Sequence, residues 1–101
     1  MKIITLTTDF GLKDHYAAAL KGTLFSGDSQ ITVVDVSHQV PPGDILQAAF
    51  ILRNSFREFP LGSIHLLTVG ASLSSRYRHV ALLLDGHYFI GCDNGVFSLL
   101  S

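Results

Sequence analysis

The sequence has 101 residues, enough for one domain with a core, and is apolar for a soluble chain: 48% hydrophobic against 15% charged. Its formal net charge of −1 gives no electrostatic case for nucleic acid or an anionic membrane, and no apolar run approaches the ~18 residues that cross a bilayer. One cysteine, Cys92, excludes an internal disulfide; with no signal-peptide pattern at the start, the expectation is a cytoplasmic protein. The apolar excess also fits a piece covered by more chain or by partner subunits.

In chain order, residues 2–7 (Lys-Ile-Ile-Thr-Leu-Thr) have the apolar, β-branched character of a strand covered on both faces. A helix is expected next, with Asp14 as its N-cap and Tyr16, Leu20 and Leu24 at helical spacing. The near-continuous apolar run 31–36 suits a second, central strand. Pro41-Pro42-Gly43-Asp44 is punctuation with a helix-starting acid, and Ile45, Ala49, Leu52 and Phe56 mark one face of a helix of about three turns. Phe59-Pro60-Leu61-Gly62 stops it, and residues 64–69 form the third strand. The polar stretch 70–78 reads equally as a substrate loop or a plain surface loop. Asp85-Gly86 joins the runs 80–84 and 87–91 as a hairpin, Asp93-Asn94-Gly95 is a tight turn, and residues 96–100 look like a first helical turn. Two β-α-β units in series predict an α/β fold: a three-layer, Rossmann-like domain with a mainly parallel sheet plus a β-hairpin.

In such sheets, ligands bind where chain leaves the carboxyl ends of strands. Three loops are expected there: 8–15, 37–42 and 70–78. Asp9 projects from the end of the first strand, with Gly11 allowing an unusual turn, and Asp14 follows five residues later. An Asp at such a turn is as readily structural, bonding local amides. A pair of carboxylates also suits vicinal hydroxyls or a cationic substrate, whereas phosphate would be repelled, and no glycine-rich phosphate cradle is present. The five histidines lack paired ligand spacing, so no metal is expected. Asp9-Phe10-Gly11 matches a kinase tripeptide without the other kinase signatures. His38 is more often a loop-bonding residue than a catalyst, His65 reads as a satisfied core or interface histidine, and Cys92 has no activating neighbour.

Residues 4–14 (Ile-Thr-Leu-Thr-Thr-Asp-Phe-Gly-Leu-Lys-Asp), with Lys21-Gly22, resemble the opening of the S-adenosyl-L-methionine hydroxide adenosyltransferases, relatives of the fluorinases and chlorinases. The resemblance continues through Val34-Asp35-Val36-Ser37-His38-Gln39-Val40-Pro41-Pro42, Asp44-Ile45, Ala49-Phe50, residues 85–91 and Asp93-Asn94-Gly95. It implies hydrolysis of S-adenosyl-L-methionine to adenosine and methionine, by water or hydroxide attacking the ribose C5′ in line. It also implies no cofactor, a homo-oligomer (a trimer), and residues 1–101 as the family's N-terminal α/β domain, without the β-barrel domain. By the same resemblance Asp9 would hold the two ribose hydroxyls, and Asp14, His15 and Tyr16 would line the ligand.

One stretch departs from the pattern. The family's Asp-Pro-Gly-Val-Gly-Thr and Arg-Arg follow the third strand; an ungapped alignment places the water-activating Asp at Gly70 and the catalytic Arg at Tyr77, flanked by Arg76 and Arg78. Glycine has no side chain to act as base. Arg76 and Arg78, with Ser74 or Ser75, are therefore the expected water-positioning groups of a rewritten loop. The alternatives are a non-catalytic module for S-adenosyl-L-methionine or adenosine, a truncated relative that needs an oligomer or a separate barrel chain, and, ranked last, a halogenase relative.

Overall fold

The computed structural model describes residues 2–11, 15–69, 79–92 and 96–100. Strands β1 (Lys2–Thr8), β2 (Ile31–Ser37), β3 (Ile64–Thr68), β4 (His79–Leu84) and β5 (His87–Cys92) form one sheet in the order β2-β1-β3-β5-β4. β1 runs parallel to β2 and β3, β3 runs parallel to β5, and β4 pairs antiparallel with β5. The expected mainly parallel sheet with a hairpin is therefore present. Both residues of the hairpin turn have positive φ, Asp85 at 51° and Gly86 at 80°, the geometry that matches strand twist in a two-residue connection.

Helix α1 (Tyr16–Gly27) connects β1 to β2, and α2 (Ile45–Arg53) connects β2 to β3. Because β2 and β3 are added on opposite sides of β1, right-handed crossovers put the helices on opposite faces. The register agrees. Leu6 lies beside Asp35 and Leu66 on one face, where Asp35 binds Lys21 of α1. On the other face Leu67 and Phe89 join Ala48, Ala49 and Leu52 of α2, with Phe56, in the buried cluster.

The two helices start differently. Asp44 caps α2 as expected, its carboxylate accepting the Gln47 N–H at 3.0 Å. The expected cap at Asp14 is corrected: α1 begins at Tyr16 with His15 in the cap position, where its backbone carbonyl accepts the Ala19 N–H at 2.9 Å and its side chain makes no capping bond. Asp14 itself lies outside the described residues. The α2 segment is also shorter than three full turns; it ends at Arg53 and continues, after a break, as a 3-10 turn over Phe56–Glu58. α1 buries no residue completely. No helix among the described residues is long and apolar enough to cross a membrane.

Candidate functional site

In the order β2-β1-β3 strands are added first to one side of β1 and then to the other, so β1 is a topological switch point, and the loops after β1 and β2 diverge from neighbouring strand ends. They are stitched together. Val40 N–H donates to the Thr8 carbonyl at 3.4 Å, and Gly11 N–H donates to the His38 carbonyl at 2.6 Å. Gly11 and Gly43 hold φ values of 77° and 73°, the left-handed region glycine enters without a Cβ penalty. Gly43 thereby presents its N–H to Asp9 Oδ2 at 2.9 Å. Asp9 is half-buried at this junction, and its bond to the Gly43 N–H is the structural role weighed for it.

Beneath the loop runs a chain of polar contacts. Thr8 Oγ1 lies 2.7 Å from His38 Nδ1, His38 Nε2 lies 2.7 Å from Asp35 Oδ1, and Lys21 Nζ donates to Asp35 Oδ2 at 2.6 Å. Thr8 is fully buried and His38 is 4% exposed, so neither loses its partners to water. Burial raises the Asp35 carboxyl, but the hydrogen bonds from Lys21 and His38 outweigh it and hold the group below its ordinary 3.8. An ionised carboxylate only accepts, so His38 Nε2 carries a proton towards it.

Of the site residues expected from the sequence, Asp9, His15 and Tyr16 are described at this end of the sheet. The His15 and Tyr16 rings lie 4.6 Å apart, and Tyr16 is 5.9 Å from the Phe10 ring. Asp14, Arg76 and Arg78 lie outside the described residues, as do Gly70, the serines 72, 74 and 75, and Tyr77. Ser37 is occupied locally, accepting the Gln39 N–H at 3.1 Å. His38 bonds across to Thr8 and Asp35, in keeping with the loop-bonding role. Thr8, Lys21 and Asp35 were not singled out as site residues; the legible signal was a carboxylate three residues before a histidine at a strand end.

A second polar chain crosses the buried face further back along β1. Thr5 Oγ1 is 2.7 Å from His65 Nδ1, and His65 Nε2 is 3.1 Å from His87 Nδ1. Burial pushes the His65 imidazole down to about 4, and His87 beside it adds to the effect; His87 is also lowered, chiefly by burial. His65 is thus the satisfied core histidine its apolar strand suggested. Among the described residues no group of three or more His, Cys, Asp or Glu is placed to hold a metal ion. The hydroxyls of Thr7 and Thr68, both at the site end of the sheet, are buried with no hydrogen-bond partner among the described residues.

Comparison with known proteins covers nearly all of the chain. Residues 4–101 match the family described as SAM hydroxide adenosyltransferase N-terminal domain. An (R)-S-adenosyl-L-methionine hydrolase of Methanocaldococcus jannaschii is 30% identical over 106 residues, covering 100% of this chain and 40% of the relative. A protein of the same name from Salinispora tropica is 36% identical over 93 residues, covering 92% of this chain and 35% of the relative. A crystal structure of a conserved hypothetical protein from Thermus thermophilus superposes with a TM-score of 0.84 at 33% identity, covering 98% of this chain and 41% of that one. The chain therefore spans well under half the length of the curated relatives it matches.

Proposed function

The chain belongs to the SAM hydroxide adenosyltransferase family, as its N-terminal domain, and from that membership we propose that it contributes the ribose-holding part of a site that hydrolyses S-adenosyl-L-methionine to adenosine and methionine. The observation that carries the reading is Asp9, set at the topological switch point with Gly43 N–H on one carboxylate oxygen. A carboxylate so placed accepts hydrogen bonds from two vicinal hydroxyls, which fixes the ribose and with it C5′. Water then attacks C5′ in line, the C5′–S bond breaks with its electron pair going to sulfur, and the water's second proton is released. The cationic sulfonium becomes a neutral thioether, so a site that sheds water favours the step.

Arg76 and Arg78 are assigned to positioning the water, Asp14, His15 and Tyr16 to lining the ligand, and no cofactor is used. The assembly proposed is a homo-oligomer, a trimer by family resemblance, in the cytoplasm. A second reading, binding without turnover, is favoured by one feature: glycine at position 70, where the resemblance expects the water-activating Asp.

Calorimetric titration of S-adenosyl-L-methionine and of adenosine into the chain, with product analysis of the same samples, tests both. Binding that is lost in Asp9→Ala, with adenosine released, supports hydrolysis. Binding without adenosine supports the second reading. Binding that survives Asp9→Ala unchanged overturns the role given to Asp9.

A further inference from the structure

Lys21, Asp35 and His38 take part in none of the steps above, yet they form a hydrogen-bonded chain that ends on the residue before Asp9. We propose that His38, anchored by Asp35 and Lys21, is a positioning residue that sets the direction of the Asp9 carboxylate for the ribose hydroxyls; the ligand half of this statement rests on the function proposed above.

Three hydrogen bonds tie the backbone and side chain around Asp9 to the loop after β2. Thr8 carbonyl accepts from Val40 N–H, Gly11 N–H donates to the His38 carbonyl, and Asp9 Oδ2 accepts from Gly43 N–H. Among the described residues these three partners belong to the segment 38–43, so the placement of that segment bears directly on where the carboxylate faces. The His38 imidazole joins the segment to both strands, against Thr8 of β1 and Asp35 of β2.

Its protonation pattern follows from its partners. Asp35 accepts only, so in the neutral ring the proton sits on Nε2 and Nδ1 is left as an acceptor. Thr8 O–H then donates to Nδ1, and a hydroxyl lone pair is left for Phe10 N–H, which lies 3.3 Å away. The opposite tautomer would set a lone pair of Nε2 against the carboxylate and make Nδ1–H and Phe10 N–H both donate to Thr8 Oγ1. Asp35 therefore fixes the ring, and the ring fixes the hydroxyl between Thr8 and Phe10, the two residues that bracket Asp9. Lys21 holds the second oxygen of Asp35 and also ties down α1, which buries no residue completely. The loop that carries Asp9 is thus secured before it starts and after it ends.

Side-chain replacements separate this role from simple packing. Asn places an acceptor where Nδ1 stands, whereas Gln places an amide where Nε2 stands. Amide hydrogen exchange in the full 101-residue chain, read at Gly11 and Gly43 with Leu6 and Leu66 as fold controls, is measured alongside titration of S-adenosyl-L-methionine. His38→Gln, which keeps the Asp35 contact but loses Thr8, is expected to raise exchange at Gly11 and Gly43 roughly tenfold and to weaken binding by the same order. His38→Asn, which keeps the Thr8 contact but loses the Asp35 anchor, is expected to restore only part of both. Equal behaviour of the Gln and Asn variants overturns the proposal, as does unchanged exchange in His38→Gln with intact controls. If His38→Gln loses its control amides, Lys21→Met decides: faster exchange at the two glycines upholds the chain, and unchanged exchange and affinity overturn it. Should the exchange pattern hold while the unaltered chain binds neither S-adenosyl-L-methionine nor adenosine, the nucleoside reading of Asp9 fails and the ligand half of the proposal fails with it.

Discussion

Thr5 and His65 lie side by side on β1 and β3, and three residues further along β1 Thr8 meets His38 after β2. Both pairs set a threonine hydroxyl 2.7 Å from an imidazole Nδ1. Beyond that bond they part. His65 hands on to a second imidazole, His87, among the rings of Phe56, Phe59 and Phe89. His38 hands on to a carboxylate that a lysine keeps charged and that is 41% exposed at its side chain. The same donor–acceptor unit, closed by an uncharged aromatic neighbour, belongs to the core and ties stability to pH. Closed by an ion pair, it gives one tautomer and a fixed direction at a loop.

The strongest way to break this contrast is to open the aromatic enclosure. Phe56 meets His65, His87 and Phe89 edge-on, with centroids 6.0, 5.1 and 5.0 Å away. Phe56→Ala is expected to cost about 3–5 kcal/mol in chemical denaturation, the range for truncating a buried aromatic. NMR titration should show His65 rising towards its ordinary 6.5. A stable variant with His65 still near 4 would mean that something other than the rings keeps the imidazole uncharged.

Acid gives the next effect, and its sign follows from the direction of each group. His65 titrates near 4 when folded and at 6.5 when unfolded, so the unfolded chain takes up the proton first. Its contribution is complete above 6.5 and is lost as pH falls towards 4. At 1.36 kcal/mol per pKa unit this amounts to about 3 kcal/mol. Asp35 is held below 3.8, so its contribution is lost only under that value. Urea midpoints between about pH 7.5 and 4 should therefore decline in the parent chain and decline less in His65→Gln, where the lowered His87 still contributes. A flat parent curve would place the pair in water rather than in the core.

The smallest effect sharpens the other side. Lys21→Met removes a half-exposed ion pair and is expected to change stability by about 1 kcal/mol or less, with the difference shrinking in high salt. A larger loss would show that α1 depends on this contact more than exposed pairs usually allow.

The elements, and with them a mainly parallel sheet ending in a hairpin, were legible because each element rests on local chemistry. Apolar β-branched runs mark β1, β2 and β3, Asp85-Gly86 fixes the hairpin, and Asp44 announces α2 by a bond only three residues long. Asp9 was legible as a carboxylate at a strand exit. The start of α1 was not, because His15 caps with its backbone alone and leaves no side-chain signature. Nor were the two histidine chains. Thr8 and His38 are 30 positions apart, Thr5 and His65 are 60 apart, and only the register of the parallel strands brings them together. A histidine inside an apolar strand did signal that a polar neighbour must exist, since a buried imidazole left unpaired is costly. Which neighbour it was required the fold.

The central place of β1 has a consequence for how the molecule assembles. Its partners begin at Ile31 on one side and Ile64 on the other, so among the described strands β1 waits longest for its second edge to be covered. The β4–β5 hairpin, by contrast, closes over two residues. Parallel pairing across such separations is slow, on the order of milliseconds to seconds, and an uncovered apolar edge in that interval invites intermolecular pairing. During synthesis the strand that leads to Asp9 keeps one edge exposed until β3 arrives, so crowded overexpression is expected to lose yield at that stage.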